Sequence, residues 1–215
     1  QSGYKPLNID KAEGVYLIEH QKNKILDFSS GLVNVNIGHG DQRVTDAVLN
    51  QMKKVSYVNP STITKVRGDL GKKLSEICPG NLNKSFFTIC GATGIENAIK
   101  LARIYTGRHK ILTRYRSYHG STMGAMSAGG DPRKLKVDNQ MGPNFVHLEI
   151  PYEYRSKGQE WKQDCFDQLD RILAYEGPEN FAAIIMEGES GSSGCLKLPK
   201  GCLLYTSPSP RDPHL

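Results

Sequence analysis

The stretch "FFTICGATGIENAIK" (residues 86–100) runs an apolar segment, a small-residue turn and a helical pattern together without a break. Gly91 and Ala92 leave room for a ligand to approach the backbone. The helix that starts there presents unsatisfied N–H groups and the positive end of its dipole. A strand, a tiny-residue turn and a helix N-terminus together suit a phosphate. The same turn would also serve tight helix–strand packing, and it is neither a dinucleotide fingerprint nor a P-loop. Thr93, followed three residues later by Glu96, reads as a capping box that starts the helix near Gly94.

Two more clusters lie where apolar strands stop. "RYRSYHGST" (114–122) follows one such strand. In a parallel sheet ligands bind at the carboxyl ends of strands, so Tyr118 and His119 share a rim with Gly91. The Tyr118 ring is a platform for stacking on an aromatic ligand, and Gly120 lets the chain turn beneath it. A tyrosine at the core edge and a hydrogen-bonded structural histidine are the alternatives. "AAIIMEGESGSSG" (182–194) ends a strand on Glu187 and continues in small residues. A carboxylate there suits a polar site, or is simply capping or solvated.

The elements that must position these groups follow from periodicity. Residues 14–28 read as a hairpin about the polar turn "QKNK". Residues 41–55 read as a helix, with Asp41 as its N-cap and Val44, Ala47, Val48, Met52 and Val55 on one face; residues 62–77 repeat the pattern. Then strands and helices alternate. "SFFTI", "KILTRY", "FVHLEI" and "FAAIIME" are strands, apolar on both faces as strands beneath helices are. "TGIENAIKLARIYTG", the short "STMGAMSA" and "EWKQDCFDQLDRILAY" are helices. Such alternation gives an α/β fold with a mostly parallel sheet and flanking helices.

Composition narrows the class. The chain has 215 residues, 38% hydrophobic and 23% charged, which is ordinary for a globular protein. Its net charge is +6, but Lys and Arg are interleaved with acids and form no basic run. That argues against nucleic acid and leaves a positive field for small anionic substrates. No apolar run is long enough for a membrane span, and no secretory layout opens the chain. Five cysteines without a CxxC read as reduced thiols in a cytoplasmic protein. Neither cysteines nor histidines have metal-site spacing, so no metal is expected. The segment "LLYTSPSPRDPHL" (203–215) has three prolines and no periodicity, and resembles a translated sequencing adapter. It reads as a non-native tail on a fragment whose native frame continues past about Gly201.

Taken in order, "SGLVNVNIGHGDQRV", "LNKSFFTICGATGIENAIKLARIYTGRHKI", "RYRSYHGSTMGAMSAGGDPR" and "AAIIMEGESGSSG" with "PKG" resemble the class-III aminotransferases. These are pyridoxal 5′-phosphate enzymes of the aspartate-aminotransferase fold (fold type I). The resemblance covers roughly residues 10–201. Within the class it is most like the taurine–pyruvate and other ω-amino acid–pyruvate enzymes, and covers their N-terminal half only. It implies an incomplete large cofactor-binding domain over residues 59–201, part of the small domain over 1–58, and a foreign tail over 202–215.

The resemblance also implies roles. Gly91 and Ala92 match the residues whose N–H groups hold the cofactor phosphate. Tyr118 matches the aromatic stacked on the pyridine ring, with His119 and Gly120 completing its loop. Glu187 matches the strand-end glutamate on the polar side of the cofactor, and Leu32 and Val33 fall in the stretch that lines the substrate pocket. Thr93 stands where the family usually has glutamate, and Gly188 where it often has proline. Ser192 stands where ornithine- and 4-aminobutyrate-type enzymes carry a second glutamate, which favours pyruvate as acceptor over 2-oxoglutarate. The pyridine-nitrogen aspartate and Schiff-base lysine of the family lie beyond Glu187. Lys72, Lys100, Lys110 and Lys136 match neither, so the chain supplies no catalytic residue and is expected to be inactive alone.

The implied activity of the parent protein is transfer of an amino group from an ω-amino donor such as taurine or β-alanine to an oxo acid, in a homodimer. A same-fold aminomutase or racemase, or a cofactor-binding protein without catalysis, is the alternative.

Overall fold

The computed structural model describes residues 3, 5–138, 141–150, 152–155, 161–197 and 199; for residues 155 and 161–163 it describes the backbone. The proline-rich tail and Cys202 lie outside the described residues. The chain divides into two compact units, Gln1–Ser85 and Phe86–Leu215.

The first unit opens with a three-stranded antiparallel meander, β1 (Ile9–Glu13), β2 (Tyr16–Glu19) and β3 (Lys24–Leu26). The expected hairpin is β2–β3, in register from Tyr16↔Leu26 to Ile18↔Lys24. The polar β1, "IDKAE", carries no apolar alternation and is recognisable only by its partner. A single turn, α1 (Ser30–Val33), follows, and then α2 (Gln42–Lys54) and α3 (Lys65–Ile77). Asp41 caps α2 as expected, its carboxylate accepting from the Arg43 N–H at 2.9 Å. The apolar stripes of both helices are exposed at Val44, Val48, Met52, Val66, Leu70 and Ile77.

The second unit is built on a parallel sheet. Here β4 (Lys110–Arg114) lies between β5 (Phe145–Leu148) and β6 (Phe181–Ile184). Two long helices, α4 (Gly91–Thr106) and α6 (Trp161–Glu176), and the short α5 (Met123–Ala128) complete it. Side chains alternate across β4 and so divide the core. Ile111 packs with Ile99 of α4 and Ala128 of α5, while Leu112 packs with Leu148 and Phe181, backed by Leu169, Ile172 and Leu173 of α6. This layering of helices on both faces explains why the strand runs are continuously apolar.

Two expectations are corrected. No strand forms over "SFFTI": no ladder among the described residues includes it, and Phe86 and Ile89 are 72% and 96% exposed. A strand exists only through a partner, and none of the described residues pairs with this one. The capping box is absent too. Helix α4 begins at Gly91, not near Gly94, with Cys90 as its N-cap, and the Cys90 thiol meets the Thr93 hydroxyl at 3.2 Å. The Glu96 side chain points elsewhere.

Candidate functional site

The N-terminus of α4 and the loop after β4 meet through glycine. Gly120 has φ +134°, and a Cβ on it would lie 2.5 Å from the Cβ and 2.8 Å from the Cα of Ala92. No larger residue lets the two backbones approach this closely. Gly91, Ala92, Tyr118, His119 and Gly120, which the sequence placed on one rim by topology, therefore form one cluster. A Cβ at Gly91 would meet nothing within 4 Å, so the first turn of α4 stands beside open space. The Cys90 thiol is held below its usual range by the Thr93 hydroxyl and by the Thr93 and Ala92 amides, which outweigh burial. Those amides favour negative charge at this end of the helix.

The Tyr118 ring is fixed from three directions. Its hydroxyl lies 3.1 Å from the Ser121 Oγ, and its backbone N–H donates to Glu187 Oε1 at 3.0 Å. The Arg133 guanidinium, itself paired with Asp131, sits 4.2 Å from the ring centroid. One ring face thus carries a cation–π contact, and stacking on a flat ligand falls to the other.

Glu187 reaches the rim by way of β6 and engages three groups. Besides Tyr118, Ser190 Oγ lies 2.6 Å from Oε2, and Arg114 Nη2 is 3.7 Å from the same oxygen and donates to the Glu187 carbonyl at 2.9 Å. The Arg114 side chain is 1% exposed, so Glu187 supplies the carboxylate that a buried guanidinium requires. Ser190 Oγ also lies 2.6 Å from the Arg116 carbonyl oxygen, tying the small-residue segment after Glu187 to the Tyr118 loop.

His119 is half-buried, and its Nε2 is buried with no hydrogen-bond partner among the described residues. Burial, aided by the Arg114 charge and opposed by Glu187, pushes its pKa down, so the imidazole is neutral at pH 7. A buried ring nitrogen without a partner, beside a helix N-terminus and a held aromatic face, is a polar group that a ligand could satisfy. A molecule with a phosphate at one end and a flat ring at the other meets donors, a stacking face and an unpaired polar atom in this cluster. Among the described residues no group of His, Cys, Asp or Glu has the makings of a metal site. Arg114, Arg133 and Ser190 were not picked out from sequence, and Glu96 was read only as a capping-box partner of Thr93. Most of their partners lie at separations that local patterns do not reach; Asp131, two residues from Arg133, and Glu187, three from Ser190, are the exceptions.

Leu32 and Val33 belong to the first unit. They sit on α1, where Ser30, Gly31, Leu32 and Val33 have φ of 50°, 57°, 62° and 64°. This is one turn of left-handed helix, a conformation that costs an L-residue about 1–2 kcal/mol. Asp27 holds it: the carboxylate accepts from Ser29 Oγ at 2.9 Å and Gly31 N at 3.0 Å, and lies 2.8 Å from His39 Nε2. Asn34 Nδ2 adds bonds to the Gly31 and Leu32 carbonyls. Leu32 and Val33 are left 82% and 74% exposed.

The His39 bond first, then Ser29 and Gly31, keep the Asp27 carboxyl below its ordinary value against burial. A depressed carboxyl stabilises the fold above the ordinary carboxylate range, and that contribution is lost as pH falls through the depressed value. Asp27→Asn is therefore expected to lower the thermal midpoint at pH 7, with the gap to wild type closing as pH drops below about 4. A gap that is independent of pH would show that ionised Asp27 is not what holds the turn.

The sequence profile of the family described as aminotransferase class-III matches residues 1–204. The putrescine–pyruvate aminotransferase of Pseudomonas aeruginosa is 32% identical over 219 aligned positions, covering 91% of this chain and 47% of that protein. An isoleucine 2-epimerase of Lentilactobacillus buchneri is 31% identical, with 92% and 46% covered. A solved taurine:2-oxoglutarate aminotransferase from Bifidobacterium kashiwanohense, in complex with PLP and glutamate, superposes with a TM-score of 0.87. It is 35% identical, with 96% of this chain and 49% of that one covered. The chain thus spans about half the length of the relatives it matches. Among the described residues no helix is long and apolar enough to cross a membrane.

Proposed function

Since the chain belongs to the class-III aminotransferases, we propose that it forms the cofactor-holding part of an enzyme that moves an amino group from an ω-amino donor to pyruvate or another oxo acid. One observation carries the reading: the Gly120–Ala92 contact, which unites a helix N-terminus beside open space with a tyrosine ring held on one face. Pyridoxal 5′-phosphate is the family's cofactor, and the residues present suit it. When bound, it supplies the conjugated ring that takes up the electron pair released at the donor carbon.

The chain's own residues bind and orient. The Gly91 and Ala92 amides receive the phosphate end, with the α4 dipole behind them. Tyr118 offers its second face to the ring, while Arg133, Ser121 and Glu187 keep it from turning. Neutral His119 adds a polar contact without charge. Leu32 and Val33 line the substrate pocket. The 215-residue chain has no lysine matching the family's covalent anchor, and turnover belongs to a longer parent, cytoplasmic and homodimeric.

The test is an amino-transfer assay on the parent protein with taurine, β-alanine or putrescine as donor. Pyruvate is expected to be aminated about tenfold faster than 2-oxoglutarate, the discrimination expected of one lost acceptor contact. Faster reaction with 2-oxoglutarate would overturn the pyruvate preference. The similarity to an isoleucine 2-epimerase supports a second reading, inversion at an amino-acid carbon. Loss of optical rotation from a single amino acid, with no oxo acid added, would favour it.

A further inference from the structure

Helix α5 is capped by another helix. Its own N-cap residue, Thr122, makes no side-chain cap bond. Instead Glu96 Oε1, on α4, accepts from the Gly124 N–H at 2.7 Å and the Ala125 N–H at 3.2 Å. Burial pushes the Glu96 carboxyl up, but hydrogen bonds from the Thr122 hydroxyl and these two amides, with the Arg103 charge, hold it below its ordinary value. It is therefore an anion at neutral pH, matched to the positive end of α5. Gly124 is part of the fit, because a Cβ there would run into the Glu96 carboxylate.

This contact stands one helical turn from another. Ala92 and Glu96 are four residues apart on α4, and they meet Gly120 and Gly124, also four apart. A single contact between helix and loop would act as a pivot. Two contacts a turn apart fix an angle. The groups on either side of that angle are the amides of Gly91 and Ala92 and the ring of Tyr118.

We propose that Glu96 is a positioning residue that sets the distance between the phosphate end of α4 and the Tyr118 ring, by holding the α5 N-terminus against α4. It touches neither cofactor nor substrate. The inference rests on the cofactor reading above, and predicts that the two halves of the site lose their alignment while each half survives.

The probes are pyridoxamine 5′-phosphate, which needs no lysine anchor, followed by its fluorescence, and inorganic phosphate, followed by phosphorus NMR. Both are titrated into the full 215-residue chain. Glu96→Ala is expected to weaken pyridoxamine phosphate at least tenfold while phosphate changes less than twofold. Glu96→Gln keeps an acceptor oxygen at the same reach and should recover most of the loss. If Glu96→Ala does not fold, Gly124→Ala displaces the carboxylate from the other side and should give the same split. Equal weakening of both probes, or no weakening of either, overturns the positioning role and leaves the cofactor reading standing. A wild-type chain that binds neither probe removes both.

Discussion

Replacing Gly120 by alanine is expected to abolish cofactor binding and to lower the melting midpoint by roughly 6–12 °C. Two penalties add. At φ +134° a Cβ is strained wherever it points, at a cost of about 1–3 kcal/mol. The added carbon also lies 2.5 Å from the Cβ of Ala92 and 3.1 Å from that of Ala125, and overpacking of this kind costs about 1–3 kcal/mol. A total near 3 kcal/mol converts to that shift for a chain of this size. The affinity loss has a separate origin, since the loop must retreat from α4 and carry Tyr118 with it. Adding Ala92→Gly removes the Cβ clash but not the 2.8 Å approach to Cα, nor the strained φ, so rescue should be partial. Differential scanning calorimetry and pyridoxamine phosphate titration of the three proteins test this. A Gly120→Ala chain that melts and binds like wild type would show that the loop does not rest on α4.

Glu187→Ala should be the second severe change, about 3 kcal/mol. It removes the acceptor for the Tyr118 N–H and the Ser190 hydroxyl, and it takes the carboxylate away from a guanidinium that is 1% exposed. Removing one partner of a buried pair costs about 3–5 kcal/mol, and the 3.7 Å separation and partial exposure of Glu187 set this case at the lower end. Glu187→Gln keeps the shape and loses the charge. It should cost about 1–2 kcal/mol, in line with hydrogen bonds to charged groups. The ordering alanine, then glutamine, then wild type in urea midpoint is the readout. Equal destabilisation by both variants would mean that the charge next to Arg114, rather than the hold on the Tyr118 loop, sets the loss.

Much of the second unit was legible because its signals are local. The apolar runs of β4 and β6 and the 3.6-residue pattern of α4 each lie within one element, as does the cap at Asp41 in the first unit. The meeting of Gly91 with Tyr118 was expected from strand ends sharing a rim, but the strand before Gly91 does not form, and the close approach of Gly120 to Ala92 brings them together instead. What escaped depends on partners distant in sequence. The segment around Phe86 has strand composition but no strand beside it. Glu96 sat at capping-box spacing from Thr93, yet the amides of Gly124 and Ala125, 28 and 29 residues away, hold it instead. Arg133 on Tyr118 is a packing choice that no spacing encodes. The left-handed turn at Ser30, Gly31, Leu32 and Val33 was invisible because three of its four residues ordinarily avoid that conformation.

That turn bears on how residues 32 and 33 can evolve. At most surface positions a new side chain is selected for what it touches. At residues 32 and 33 it is filtered first by torsion: glycine, asparagine and aspartate enter easily, while β-branched residues such as the resident Val33 are the hardest to accommodate. Asp27, by holding the turn against its own preference, keeps bulky apolar residues available where the backbone alone would select small or polar ones. The side chains open to descendants of this sequence at this exposed turn therefore depend on a carboxylate at position 27 as much as on what those side chains touch.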